Sequence, residues 1–320
     1  MRDMDRVKKV FVTGVCGQLG HDVANELLRR GYDVIGSDIK SEKEFAATDC
    51  MTLNRCKREA CGSFRYVPLD ICSSDDTRRE LMATGPDAVV HCAAWTAVDA
   101  AEDAEVRDKV YAVNVTGTGN IAEACKDLDC KMVYISTDYV FDGQGDAPWT
   151  PDFCNYHPLN VYGKSKLAGE QAVSGLLDKF FIVRIAWVFG FNGGNFVKTM
   201  LRLGKTHDEI RVVNDQIGTP TYTFDLARLL VDMLETDKYG YYHATNEGGY
   251  ISWYDFACEI FRQAGYSTKV IPVSTEEYGQ SKAARPYNSR LDKSKLVQNG
   301  FAPLPEWRDA LARYLEELDM

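Results

Sequence analysis

Three residues in the middle of this chain have the chemistry to put a proton on a carbonyl oxygen: Thr137, Tyr162 and Lys166. A phenol with a pKa near ~10 is a poor acid at neutral pH, and a neighbouring ammonium favours phenolate and lowers that value. General acid catalysis by a matched group is worth roughly 10²–10⁴-fold. The Tyr-x-x-x-Lys spacing carries little weight alone. Random placement of 17 tyrosines and 18 lysines over 320 residues would produce about one instance, and the chain holds two, Tyr162–Lys166 and Tyr278–Lys282. Context separates them. Tyr162 lies at the start of a helical segment and follows ISTDYVFDG (135–143), which puts Thr137 at the carboxyl end of a strand, where ligands of open α/β sheets collect. Tyr278–Lys282 follows no strand and precedes AARP, so it reads as a surface pair.

A proton donor of this kind needs a hydride source beside it. The strand-like KKVFVTG (8–14) runs into TGVCGQLG (13–20) and then a helical pattern, the order a dinucleotide loop requires. Gly14 permits the tight turn, Gly17 the approach of a pyrophosphate, and Gly20 the close packing of helix on strand. Free N–H groups and the helix dipole then face the phosphates. Asp38 ends the next strand, where a carboxylate accepts from the adenosine ribose hydroxyls and favours NADH; the competing reading is a solvated loop acid. Lys40 keeps NADPH open. Asp70, ending a third strand, reads equally as an adenine neighbour or a strand-end cap.

The elements that must position these residues alternate. Strand-like segments at 8–14, 32–38, 64–70, 87–93, 131–137 and 180–188 are separated by helical patterns at 19–30, 74–84, 106–129 and 160–178. That alternation implies right-handed crossovers and a mostly parallel sheet covered on both faces, an α/β fold. The connection 40–63, with three cysteines and sparse apolar residues, reads as an elaborated link with a short helix. Beyond 188 the texture changes to FGFNGGNF and then amphipathic helices at 225–234 and 252–265. A net charge of −10 opposes nucleic acid and anionic membranes. The apolar run 180–191 is too short to span a bilayer and is interrupted by Arg184. Ten scattered cysteines without C-x-x-C, and no signal peptide, point to reduced thiols in a cytoplasmic protein.

The combination TGVCGQLG, HCAAWT (91–96), a strand-terminal Ser-Thr and Tyr-x-x-x-Lys resembles the extended short-chain dehydrogenase/reductase family. The resemblance continues through HCAAWTAVDAAE (91–102), VNVTGTGNIA (113–122), STDYVFDG (136–143), NVYGKSKLAGE (160–170), RIAWVFG (184–190), NFVKTML (195–201), VVNDQIGTPTYT (212–223), YHATNEGGYISWYDFA (242–257) and ARPYNSRLDKSKL (284–296). In that order, over nearly the whole chain, these motifs are similar to the dTDP-4-dehydrorhamnose reductase branch of the family. The 40–63 connection is longer than the usual form.

The resemblance implies a Rossmann-type doubly wound domain over 1–188, to which 223–246 packs back, and a smaller α+β substrate domain over 189–320. It implies reduction of the 4-keto group of a dTDP-linked 6-deoxyhexose. Tyr162 would give the proton, Lys166 would hold the nicotinamide ribose and lower the Tyr162 pKa, and Thr137 would hydrogen-bond the carbonyl. Gly14, Cys16, Gly17, Gln18, Leu19, Asp38, Asp70, Ile71, Cys92, Ala93 and Ala94 would line the cofactor, with NADH favoured over NADPH. Asp138, Tyr139, Trp187 and Asn195 would line the sugar pocket, and Arg285 would meet the diphosphate. Asn114 reads equally as an ordering group near Lys166 or as purely structural. The related 4,6-dehydratases follow the threonine with Asp-Glu; Asp138-Tyr139 lacks the second carboxylate and disfavours dehydration. The rival readings are a non-catalytic regulatory subunit like that of methionine adenosyltransferase, and a nucleotide-sugar epimerase. No metal is expected: Mg²⁺ at a dimer contact of some relatives has only Asp22 as a candidate ligand here, and a homodimer is compatible with the resemblance.

Overall fold

The computed structural model describes residues 7–47, 62–279 and 281–318. Most of the 40–63 connection lies outside the described residues; its start contains one short helix, α2 (Glu42–Ala46), opened by a Ser41–Glu44 capping box. Seven parallel strands form the central sheet. Six come from residues 9–185: β1 (Lys9–Thr13), β2 (Asp33–Asp38), β3 (Ser63–Pro68), β4 (Ala88–His91), β5 (Lys131–Thr137) and β6 (Phe180–Ile185). They lie in the order β6-β5-β4-β1-β2-β3. The chain reverses direction across the sheet between β1 and β4, which leaves a crevice at their carboxyl ends.

The inner strands are rich in Val, Ile and Phe and are buried on both faces, as a sheet sandwiched between helix layers requires, whereas the edge strand β3 is largely exposed or half-buried. One face is covered by α1 (Gln18–Arg29), which buries Leu19, Val23, Leu27 and Leu28 at helical spacing. The other is covered by α3 (Ser74–Thr84), α5 (Thr118–Leu128) and α6 (Val161–Leu176), through Leu81, Ile121, Cys125 and Val173 among others. The sequence pattern suggests one helix over 106–129. The structure instead has α4 (Ala104–Tyr111) and α5 joined by a widened π-helical stretch, Ala112–Gly117. Asn114 sits in that stretch; it accepts from the Trp95 amide (2.8 Å) and donates to the Ser165 hydroxyl (2.9 Å).

The run 180–188 is not one strand either. β6 ends at Ile185, Trp187 takes a positive φ of 52°, and a two-residue strand, β7 (Val188–Phe189), follows. A bulky residue in that region costs of order 1–3 kcal/mol. Stacking offsets part of this cost: the Trp187 ring lies 3.8 Å from that of Trp253, the planes 16° apart.

Beyond β7 come α7 (Phe196–Gly204), β8 (Glu209–Val213), β9 (Ile217–Gly218), β10 (Thr221–Tyr222), α8 (Thr223–Leu234) and β11 (Gly240–His243). α8 packs on α1, with Arg30 paired to Asp232, and β11 adds to the edge of the central sheet beside β6. The remainder includes β12 (Ile251–Ser252), α9 (Trp253–Ala264), β13 (Lys269–Val273), α10 (Thr275–Tyr278), α11 (Ser294–Gln298) and α12 (Trp307–Leu318). α7, α9 and α12 share a separate apolar cluster around Phe189, Phe256, Trp307 and Tyr314.

Candidate functional site

A cavity of about 770 Å³ runs along the carboxyl edge of the sheet, from Asp38 and Asp70 to Thr137, Tyr162 and Trp187. Its floor is the glycine loop. Gly14 has φ +67°, and a Cβ there would meet the Ala93 amide nitrogen at 2.7 Å; at Gly20 a Cβ would lie 2.2 Å from the Gly14 carbonyl oxygen. The cradle therefore exists only because these positions lack side chains, and α1 points its N-terminus at the space so made. Gly17, Gln18 and Leu19 line the cavity from this side, and Ile71, Cys92, Ala93 and Ala94 from the next strands. Cys16 is not on the wall; its amide instead donates to the Asp38 carboxylate (3.1 Å).

Asp38 also accepts from the Ile39 amide (2.9 Å), so its carboxylate is held at the cavity rim by two backbone donors. Asp70 does two things at once: it faces the cavity and accepts from the Cys72 amide (3.0 Å). Lys40 is not on the cavity wall; its backbone carbonyl accepts from the Tyr66 hydroxyl (2.6 Å).

At the other end three elements converge. β5 ends in Thr137, and the short turn Asp138–Val140 follows. Asn160 caps α6 by accepting from the Gly163 amide (2.8 Å), which fixes the first turn and with it Tyr162. One turn on, Lys166 is 3% exposed and holds its ammonium over the Tyr134 ring. Glu170, a further turn along, is engaged by Arg184 through both oxygens (2.9 and 2.8 Å). This pair ties β6 to the helix that carries Tyr162, and it explains how a guanidinium fits inside an apolar strand.

The electrostatics differ from the expectation that Lys166 lowers the Tyr162 pKa. Burial pushes the phenol well above its ordinary value, the Asp138 carboxylate adds to the shift, and the Thr137 hydroxyl acts against it by hydrogen bonding. Lys166 is itself pulled down to about 7 by burial, with Glu170 and Cys92 opposing. In a dry site the cost of taking charge from water exceeds the help that two weakly coupled neighbours give each other. Asp138 is pushed up to about 6 by burial, against hydrogen bonds from Ser289 and Thr137.

Of the residues expected at the sugar, Asp138, Tyr139 and Trp187 lie on the cavity wall. Asn195 does not; it caps α7 by accepting from the Lys198 amide (3.0 Å) and donates to Gln18 (3.0 Å) and Tyr314 (2.9 Å). Arg285 is also off the wall, in a two-pronged pair with Asp99 (2.9 and 2.7 Å). The second Tyr-x-x-x-Lys is remote from this chemistry, as its Lys282 pairs with Asp103. Sequence reasoning passed over Lys109, Trp95 and Thr96, which line the cavity, and Ser289, which reaches Asp138 from the far end of the chain. Ser289 leaves no local signal, since 151 residues separate the partners. Glu170 did have one: the buried position of Arg184 demands an anion.

Among the described residues there is no group of three or more His, Cys, Asp or Glu placed to hold a metal, and no helix long and apolar enough to cross a membrane. Asp22 instead contacts His21 and accepts from the Thr223 hydroxyl.

Comparison with known proteins places this geometry in context. The family model described as RmlD substrate binding domain matches residues 8–320. The dTDP-4-dehydrorhamnose reductase of Streptomyces griseus is 41% identical over 307 residues, 94% of this chain and 91% of that protein. The spore coat polysaccharide biosynthesis protein SpsK of Bacillus subtilis is 38% identical over 309 residues, 97% of each. Among solved structures, the dTDP-4-dehydrorhamnose reductase of Bacillus anthracis in complex with NADP aligns with a TM-score of 0.84 at 40% identity, covering 98% of this chain and 100% of that one.

Proposed function

The chain belongs to the RmlD substrate binding domain family, and on that premise we propose that it is a nicotinamide-dependent reductase that converts dTDP-4-dehydro-L-rhamnose to dTDP-L-rhamnose. The observation that carries this reading is the convergence of Thr137, Tyr162 and Lys166 on the same cavity wall as the Gly14–Gly20 cradle. The cradle fits a dinucleotide, because a Cβ at either glycine would occupy the space that backbone needs. Gly14, Gly17, Gln18 and Leu19 would hold the pyrophosphate, Asp38 and Asp70 the adenosine side, and Ala93 and Ala94 the passage between them. The cofactor supplies a hydride to the C4 carbon.

The remaining chemistry belongs to the protein. Tyr162 stays a phenol at neutral pH because burial holds its pKa up, and a reductase needs its acid in the protonated form. As charge develops on the C4 oxygen, Tyr162 transfers its proton there, and the Thr137 hydroxyl holds the oxygen in place. Lys166, whose pKa burial brings to about 7, is drawn toward its charged form by the nascent phenolate and would bond the ribose. Tyr139 stands where a dehydratase would need a second carboxylate, so water elimination has no proton carrier. Asp38 favours NADH, since a 2′-phosphate would meet its carboxylate, even though the Bacillus anthracis relative was solved with NADP. Residues 1–188, with about 223–246 packed back onto them, would form the cofactor unit, and the rest of 189–320 the substrate unit.

The test is turnover of dTDP-4-dehydro-L-rhamnose with NADH and with NADPH. Loss of reduced-cofactor absorbance that depends on the sugar supports the reading. No loss with either cofactor sinks it.

A further inference from the structure

Thr137 carries one hydroxyl proton, and in this structure it is committed. The hydroxyl donates to Asp138 Oδ1 at 3.0 Å, and its oxygen accepts from the Tyr139 amide at 3.2 Å. A threonine offers one donor and two acceptor sites. With Asp138 ionised, Thr137 can therefore present only lone pairs to a ketone, which is repulsive rather than stabilising. Asp138 is 1% exposed, and its Oδ2 accepts from the Ser289 hydroxyl. Among the described residues no cation is bonded to it. The groups that face it are Thr137 on β5, Tyr139 in the following turn, Tyr162 on α6 and Ser289 in the C-terminal segment. The Arg285–Asp99 ion pair acts on Tyr139.

We propose that Asp138 is a positioning residue that acts as a neutral carboxylic acid in the reactive complex, donating from Oδ1 to the Thr137 oxygen so that the Thr137 hydroxyl is free to donate to the substrate carbonyl. This deepens the reductase reading and rests on it. Ser289 gives the arrangement its direction: it occupies Oδ2 as a donor, so an added proton belongs on Oδ1, toward Thr137. The hydrogen bonds then close without conflict. Thr137 accepts from Asp138 and from the Tyr139 amide, and Tyr162, which hydrogen-bonds Thr137 in this structure, turns to the substrate. One proton is taken from solvent at Asp138 when the ketone binds; the hydride step then consumes the Tyr162 proton, which solvent replaces after turnover, and leaves the Asp138 proton in place. Burial already raises the Asp138 pKa to about 6, and a substrate that covers the cavity raises it further.

The inference separates Asp138→Asn from Asp138→Ala. An asparagine amide donates to Thr137 at every pH, as the neutral acid does. In the wild type, kcat/KM falls as pH rises through the Asp138 pKa, tenfold per unit well above it. In Asp138→Asn that part of the alkaline fall disappears, so at pH 9 the variant exceeds the wild type by about tenfold or more. Asp138→Ala is slow throughout. Lys166 titrates in both proteins, so the difference between the two profiles is the readout. Calorimetry in two buffers of different ionisation enthalpy gives the second: when dTDP-4-dehydro-L-rhamnose is added to protein loaded with oxidised cofactor at pH 7.5, the wild type takes up close to one proton more than Asp138→Asn. Ser289→Ala removes a donor from the carboxylate and moves the alkaline limb to higher pH, which serves if the Asp138 variants fail to fold. Equal losses in folded Asn and Ala variants, no more proton uptake by the wild type than by Asp138→Asn, or an unmoved limb in Ser289→Ala would overturn the inference while the wild type still turns over. A wild type inactive on the sugar with both cofactors overturns the reductase reading and this one with it.

Discussion

Lys166 holds its ammonium 4.1 Å from the centroid of the Tyr134 ring, and the carboxylate one turn further along its helix, Glu170, gives both oxygens to Arg184. The lysine is thus buried with a ring face and a distant, shared anion as its electrostatic support. That is too little to keep a fully desolvated cation at its ordinary pKa, and burial brings it to about 7.

The consequence for stability has a definite sign. Between about 7 and the ordinary lysine value of 10.5, the unfolded chain binds a proton at Lys166 that the folded protein does not. Stability from this group therefore rises with pH across that window, and below it the buried charge is a standing cost. Urea midpoints measured from pH 6.5 to 9.5 should climb more steeply in wild type than in Lys166→Met. Parallel curves would show that Lys166 keeps an ordinary pKa.

Tyr162→Phe removes the proposed acid and leaves the ring that packs edge-on against Tyr139. kcat should fall by about 10²–10⁴-fold, while the Kd for NADH changes by no more than about threefold. Steady-state rates and cofactor fluorescence titration read the two effects separately. Retained turnover would take Tyr162 out of the proton transfer.

Asp38→Ala should weaken NADH far more than NADPH. Loss of a charge-assisted bond to the ribose is worth about 1.5–3 kcal/mol, or roughly 10–100-fold in kcat/KM. The ratio of kcat/KM for the two cofactors, measured on both proteins, checks this. An unchanged ratio would mean that Asp38 does not select the cofactor.

Arg184 and Glu170 are 0% and 1% exposed. Removing either partner strands a buried charge, and Arg184→Met should cost about 3–5 kcal/mol of unfolding free energy. The double variant Arg184→Met/Glu170→Leu should recover most of it. Urea denaturation of the three proteins provides the comparison, and a double variant no more stable than the single would argue that the pair's packing matters more than its charge.

The dinucleotide loop was readable in TGVCGQLG because its geometry is local: strand, turn and helix follow one another, and each glycine answers a clash within that unit or with the next strand. That Asp38 ends β2 at the rim of the cavity was readable for the same reason. Trp187 was expected at the substrate, but nothing in RIAWVFG announces its positive φ, which depends on stacking against Trp253 on a later helix. Asn195 and Arg285 carry the right functional groups for a sugar or a phosphate. Their partners, Gln18 and Tyr314 for one and Asp99 for the other, lie more than a hundred residues away and engage those groups first.

The sequence alone determined the kind of chemistry: a phenol, an ammonium and a hydroxyl at set places along an alternating α/β chain with a phosphate loop. These follow from residue type and short-range spacing, which the backbone converts into faces and turns. Only the tertiary structure decided the protonation states. Desolvation depends on how much protein surrounds a group, and hydrogen-bond direction depends on which distant residue arrives with a donor. That is why the Tyr162 pKa is held up, that of Lys166 is brought to about 7, and that of Asp138, between Thr137 and Ser289, is raised to about 6.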